Sequence, residues 1–150
     1  MNNLIRSFRE FKKTDNLLKY INQLQQIVIP KIDYDNRVNF IPNEYTRNVI
    51  YRNEIYEILL ICWGTNSFAD IHDHSSNGCI MKILDGSLME NKYNTDFQLI
   101  ETKTLHADDI SYIHNNLHYH SITNFNKPSV SLHIYSPPNY ISNLKTNSPS

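Results

Sequence analysis

Histidines 72 and 74 stand one residue apart in Ile71-His72-Asp73-His74, and that spacing could do metal chemistry. Side chains on a β-strand alternate faces with period two, so both imidazoles would lie on one side. They would sit about 6–7 Å apart along the backbone, close enough to converge on one ion. His120 offers a third nitrogen from a segment that is also strand-like. Three neutral nitrogens around a divalent ion leave positions open for substrate or oxygen. That is the arrangement of a catalytic site rather than a structural one. His118 shares a face with His120, and spacing alone leaves either as the third ligand.

A second polar set lies in Val130-Ser131-Leu132-His133-Ile134-Tyr135. One face is Val130, Leu132 and Ile134, which packing explains. The other carries a hydroxyl, an imidazole and a phenol, and these need partners or water. Taken by itself, the strand reads as an exposed antiparallel face. The alternative is a polar relay lining a barrel interior near the metal.

The elements that must position these groups follow from periodicity. Leu4, Ile5, Phe8 and Phe11 fall near one helical face, with Asn2 or Asn3 as cap. Thr14 or Asp15 would cap a second helix carrying Leu17, Leu18, Ile21, Leu24 and Val28, and Pro30 would end it. Residues 31–44 read as an irregular connection. From Tyr45 the pattern turns to β. Strands are predicted over 54–63, 79–84, 87–93, 99–105, 110–114, 119–123 and 130–135. Gly64 closes the first, and Asp85-Gly86 is expected to turn a hairpin between 79–84 and 87–93. Helices followed by many short strands predict a mostly β fold: a small β-barrel or sandwich with the N-terminal helices packed outside. One domain is expected over residues 1–150, with a helical part over 1–30, the barrel over 45–138 and a frayed tail over 139–150.

Composition narrows the classes. Apolar residues make up 40% and charged residues 19% of the 150, which is a globular balance. A formal net charge of -1 gives no electrostatic case for nucleic acid or an anionic membrane as partner. The longest apolar run, Ile58 to Trp63, suits a buried strand and is far short of a membrane span. The N-terminus lacks a signal-peptide core, and the chain carries only two cysteines. A reduced cytoplasmic setting is therefore expected, which argues against a Cys62–Cys79 disulfide. A monomer is expected. Cys62, Trp63 and the Phe8, Phe11 and Leu17 cluster read as core. His106, His114 and His118 read as surface or structural groups.

Gly64, His72, His74 and Gly86, followed by His120 and Asn124, keep the order and approximate spacing of the two cupin motifs. Asn124 thereby favours His120 over His118. The acidic ligand usual after the second histidine is absent, and Cys79 occupies its place. With that departure the chain resembles cysteine dioxygenase, the thiol dioxygenase branch of the cupins. The stretches that carry the resemblance are Tyr45-Thr46-Arg47-Asn48, Cys62-Trp63-Gly64, Ile71-His72-Asp73-His74, Cys79, Tyr112-Ile113, His120, and Val130 through Pro138. They run in the family's order from Tyr45 to Pro138, and the N-terminus matches more loosely.

The resemblance implies a cupin-type jelly roll and a non-haem Fe(II) held by His72, His74 and His120. It implies that Arg47 grips a substrate carboxylate by a two-pronged hydrogen bond, with Tyr45 shaping that pocket. Tyr135 would place its phenol near substrate and oxygen, held by Ser131 and His133. Cys79 would be positioned for the thioether to Tyr135 that some members acquire. The implied reaction oxidises L-cysteine with O2 to cysteine sulfinate. Another small thiol such as 3-mercaptopropionate is the nearer alternative, and a non-catalytic metal-binding or small-molecule-binding cupin the further one. Arg47 argues for cysteine, because the 3-mercaptopropionate enzymes carry a glutamine there. Two departures from mammalian forms stand out. Gly78 replaces a histidine before the cysteine, and those forms continue past Ser136-Pro137-Pro138 with a further segment that helps close the site.

Overall fold

The computed structural model describes residues 1–12, 15–114 and 116–141. Its first part is helical in short pieces: α1 (Asn2–Ser7), a 3-10 turn over Leu17–Tyr20, and α2 (Ile21–Gln26). The predicted second helix is therefore shorter than its apolar pattern. Asn16, not Asp15, caps the segment, its side chain accepting from Leu18 N at 2.9 Å. Thr14 and most of the tail lie outside the described residues. Beyond Gln26 the chain extends, and two further 3-10 turns, Lys31–Asp33 and Asp35–Arg37, break up the irregular connection. Among the described residues, no helix is long and apolar enough to cross a membrane.

Nine strands follow among the described residues: β1 (Tyr45–Arg52), β2 (Glu57–Trp63), β3 (Ser67–His72), β4 (Cys79–Asp85), β5 (Ser87–Tyr93), β6 (Leu99–His106), β7 (Ile110–Ile113), β8 (Tyr119–Asn124) and β9 (Ser129–Tyr135). They form two antiparallel sheets, ordered β1-β2-β9-β4-β7 and β3-β8-β5-β6. The predicted hairpin between β4 and β5 does not form. Gly86, at φ +78°, turns the chain out of the first sheet and into the second. A Cβ there would stand 2.3 Å from Ser129 Oγ, and Ser129 bonds both the N–H and the carbonyl of Ser87. The turn chemistry was read correctly, but the close approach of β9 makes it a corner between sheets.

The first sheet is covered on both faces. Ile58, Leu60 and Cys62 of β2, Ile80 of β4, and Val130, Leu132 and Ile134 of β9 pack beneath Leu4, Phe8, Phe11, Leu17, Tyr20 and Leu24. The alternate residues Leu59, Ile61, Trp63, Cys79, Met81, Ile83 and Tyr135 face the second sheet and meet Leu88, Leu105 and Ile122. This explains why every residue of β2 and β9 is buried. A strand covered on both faces loses the polar alternation of a one-sided sheet. The exposed-face reading of β9 is thereby corrected. Val130, Leu132 and Ile134 do pack as expected, but the face of Ser131, His133 and Tyr135 looks into the space between the sheets and is buried.

Lys82, 3% exposed, ties the helical part to the barrel. Its ammonium donates to the carbonyls of Leu24 at 2.9 Å and Ile27 at 2.8 Å, satisfying the C-terminal end of α2.

Candidate metal and substrate site

The two sheets contribute different chemistry to one end of the barrel. His72 ends β3 and stands directly opposite His120 of β8. A bulge between Ala69 and His72 sets that pairing. β3 stops at His72, so His74 lies in the loop that follows and not on the strand. The period-two argument is corrected there: His74 reaches its neighbours through the loop, beside Gly78 at φ +96°. The three histidines nonetheless converge. The Nε2 of His120 lies 3.0 Å from that of His74 and 3.1 Å from that of His72. Ring centroids are 4.5–4.8 Å apart. These are the three residues among those described whose donor atoms cluster tightly enough to hold a metal ion, and His118 is not with them.

Backbone and side-chain acceptors orient the rings. His72 Nδ1–H donates to the Asp70 carbonyl at 2.6 Å, and His120 Nδ1–H donates to Glu90 Oε1 at 2.7 Å. With Nδ1 as the donor, Nε2 keeps its lone pair for a metal. Burial lowers the pKa of His72, and burial with the neighbouring histidines holds His74 and His120 well below the ordinary value. All three are therefore neutral at pH 7, as metal ligation requires. Three neutral imidazoles, two buried and one half-buried, with ring nitrogens converging on one point fit a borderline divalent cation such as Fe(II) or Zn(II).

The first sheet supplies the facing wall. Tyr45 and Arg47 of β1 stand opposite Trp63 and Ile61, and the rings of Tyr45 and Trp63 are 5.0 Å apart. The Arg47 guanidinium lies 5.8 Å from the Tyr135 ring centroid. Among the described residues it has no carboxylate within ion-pair distance. A cavity of about 130 Å³ joins the walls and is lined by Tyr45, Arg47, Trp63, His72, His120, His133, Tyr135 and Ile141. That is well below the roughly 300–1,000 Å³ of sites for drug-sized ligands, so the occupant is a small molecule.

Behind Tyr135 runs a chain of hydrogen bonds. Trp63 Nε1–H donates to Ser131 Oγ at 2.8 Å, Ser131 Oγ meets His133 Nε2 at 2.8 Å, and His133 Nδ1 meets Tyr135 Oη at 3.3 Å. Because the indole only donates, the Ser131 hydroxyl hydrogen is left to turn toward His133. Burial, with Arg47 nearby, holds His133 down at about 3. Burial raises Tyr135 and the Cys79 thiol, so the phenol and thiol keep their protons. Cys79 is paired directly with Tyr135 across β4 and β9.

All nine residues singled out in the sequence thus sit at this end of the barrel. Cys62 and Trp63 are core as expected, and both cysteines are free. Reading from sequence missed four groups. Trp63 anchors the relay. Glu90 and Ser111 back His120. Tyr140 donates to Asp73 Oδ1 at 2.5 Å, fastening the segment after Pro138 beside the histidine loop. Asn124 serves structure: its amide donates to the carbonyls of Trp63, Gly64 and Lys127, stitching the sheets together.

Known proteins share this fold. A double-stranded β-helix protein from Klebsiella pneumoniae superposes with a TM-score of 0.61 at 18% identity, covering 73% of this chain and 86% of that one. A cupin superfamily protein from Desulfitobacterium hafniense gives 0.54 at 15% identity, covering 67% and 84%. At such identities the likeness shows the fold, a cupin-type barrel. In sequence, cysteine dioxygenase type 1 of Rattus norvegicus is 33% identical over 103 residues, 63% of this chain and 52% of that protein. The enzyme of that name from Danio rerio is 27% identical over 150 residues, 92% of this chain and 75% of that protein. The chain thus spans about half the length of the rat relative. The family model for cysteine dioxygenase type I matches residues 6–145, nearly the whole sequence, and on that match the chain belongs to the cysteine dioxygenase type I family.

Proposed function

We propose that this protein is an Fe(II)-dependent thiol dioxygenase that converts L-cysteine and O2 to cysteine sulfinate. One observation carries the reading. A small cavity has His72 and His120 on one wall, with His74 in the same donor cluster, and on the other wall Arg47, which among the described residues has no carboxylate within ion-pair distance. A ligand bridging the two must be short, bind a metal at one end and present an anion at the other. Cysteine meets each condition.

His72, His74 and His120 would hold the iron, which when bound supplies the oxygen and thiol redox chemistry. The other residues bind and orient. Arg47 would take the substrate carboxylate in a forked, charge-assisted pair, fixing the distance from carboxylate to sulfur. Tyr45, its ring tilted against that of Trp63, would form the side of that pocket. Tyr135 would hold its phenolic proton toward the space between Arg47 and the histidines. His133 and Ser131 would fix that phenol, with the Trp63 indole N–H fixing Ser131 in turn. Cys79, opposite Tyr135, would supply the sulfur of a thioether to the ring. The overall change balances: one thiol and one O2 give one sulfinic acid, with both oxygen atoms on sulfur.

The test is turnover by protein purified without oxygen and loaded with Fe(II). Cysteine should yield cysteine sulfinate with one O2 consumed per product. 3-Mercaptopropionate, which lacks the amine, and cysteamine, which lacks the carboxylate, should be poorer substrates. Faster turnover of 3-mercaptopropionate would move the substrate assignment. Absence of any sulfinate from all three thiols would overturn the reading.

A further inference from the structure

Glu90 of β5 is 2% exposed, and a buried carboxylate needs partners. Lys92 and His120 are register partners across β5 and β8, as are Glu90 and Ile122, so Glu90 is the diagonal neighbour of His120 on one face. Its Oε1 accepts from His120 Nδ1 at 2.7 Å. Ser111 Oγ reaches across from β7, in the opposite sheet, and lies 2.7–2.8 Å from both carboxylate oxygens. Among the described residues no lysine or arginine forms an ion pair with Glu90, and its one charged-class contact is the His120 ring. Burial raises the pKa of this carboxyl, and Lys92, the Ser111 hydrogen bond, His118 and Lys103 oppose that rise without forming an ion pair to it. A divalent ion on the far nitrogen of His120 would favour the charged form further.

We infer that Glu90 supplies a negative charge one residue removed from the metal: a positioning residue that holds His120 through Nδ1–H, makes its Nε2 a stronger donor, and is itself aimed by Ser111. A carboxylate behind a metal-binding histidine raises the basicity of the ring and fixes its tautomer. Charge balance then runs through named groups. Three neutral histidines leave a divalent ion at +2, Glu90 lowers the local sum to +1, and a bound thiolate brings it to zero. Arg47 stays free to balance the substrate carboxylate.

The inference rests on the metal reading of the three histidines and not on the choice of substrate. Its test is therefore metal affinity and not turnover. Co(II) binding to the metal-free protein is measured by competition against a chelator for the parent, Glu90→Gln, Glu90→Ala and Ser111→Ala, alongside thermal unfolding of each metal-free form. Glu90→Gln keeps an acceptor for His120 and removes only the charge. It should bind Co(II) about 10–100-fold more weakly. Its metal-free form should melt at or above the parent's temperature, because a buried charge has been removed. Ser111→Ala should show a smaller loss in the same direction, since the carboxylate remains. If Glu90→Gln binds Co(II) within twofold of the parent, the inference is wrong. It is also wrong if affinity and metal-free stability fall together, which is the signature of a packing role. A parent protein that binds no Co(II) would overturn both the metal reading and this one.

Discussion

Cys79 and Tyr135 are direct partners across the β4–β9 ladder, and both point at one nitrogen. The Cys79 sulfur lies 3.9 Å from His133 Nδ1 and the Tyr135 hydroxyl 3.3 Å from it. Nothing in their separation along the sequence requires this. The pairing comes from a central strand that receives β4 on one side and β2 on the other. Opposite residues in such a ladder hold their Cβ atoms about 4.5–5.5 Å apart, within reach of a covalent link.

A thioether between the Cys79 sulfur and the Tyr135 ring is the expected result of repeated turnover. One S–H and one ring C–H would be lost, with O2 accepting the two electrons and two protons. Intact mass should fall by two hydrogens only when iron, cysteine and O2 are all supplied. Cys79→Ser should abolish the change and keep partial activity, because the phenol remains. Peptide mapping that finds only free Cys79 after prolonged turnover would remove the crosslink from the account while leaving the iron and substrate assignments standing.

Arg47 should decide which thiols are accepted. Arg47→Ala loses the forked pair with a substrate carboxylate, at about 2–4 kcal/mol in kcat/KM for cysteine. Iron content should stay at the parent's level, because among the described residues Arg47 makes no hydrogen bond to His72, His74 or His120, and its charge disfavours protonation of His72. Cysteamine has no carboxylate, so its turnover should hardly change in the variant. An equal loss for both thiols would contradict a carboxylate-binding role.

Acid should destabilise the metal-free protein through its buried histidines. His133 is held at about 3 by burial, whereas in the unfolded chain it titrates near 6.5. Between those values the unfolded chain binds the extra proton, so stability is complete above the higher pH and is lost as pH falls toward the lower. Each such histidine contributes a slope of about 1 kcal/mol per pH unit. Urea unfolding of His133→Gln between about pH 6 and pH 4 should show a slope smaller by that amount. An unchanged slope would mean that His133 is already charged in the native state.

Lys82 should matter more than any surface lysine. Lys82→Met keeps the stem but leaves the carbonyls of Leu24 and Ile27 without their donor. A loss of about 1–3 kcal/mol in unfolding free energy is expected. Lys19→Met removes an exposed pair with Asp15 at 3.6 Å and a cation–π contact at 5.8 Å from the Tyr20 ring, and should cost no more than about 1 kcal/mol. Similar values for the two would show that Lys82 does not clamp the helices.

Much of the barrel was legible because strand signals here are local. Branched and aromatic residues bounded by turns placed β4 through β9 to within a residue or so at either end. The helices were overextended because apolar residues such as Val28 continue the periodicity without being buried; Val28 is 81% exposed. The site residues were legible through motif order, and their grouping was not. His74 joins His72 through a loop, which spacing cannot reveal. The inward face of β9 looked polar and therefore exposed, because the sheet that covers it lies elsewhere in the chain. Glu90 was invisible for the same reason. In Ser87-Leu88-Met89-Glu90-Asn91-Lys92 it reads as one more solvated charge, and only the cross-strand diagonal to His120 and the reach of Ser111 give it a partner.

The most direct measurement of the central claim is isotopic. Iron-loaded protein is given cysteine and 18O2 in ordinary water, and the product is weighed by mass spectrometry. Cysteine sulfinate carrying two 18O atoms is expected from the parent, and its loss in His72→Ala, His74→Ala and His120→Ala along with their iron. Sulfinate with one labelled oxygen or none, or full activity in the His120→Ala protein, would contradict that claim.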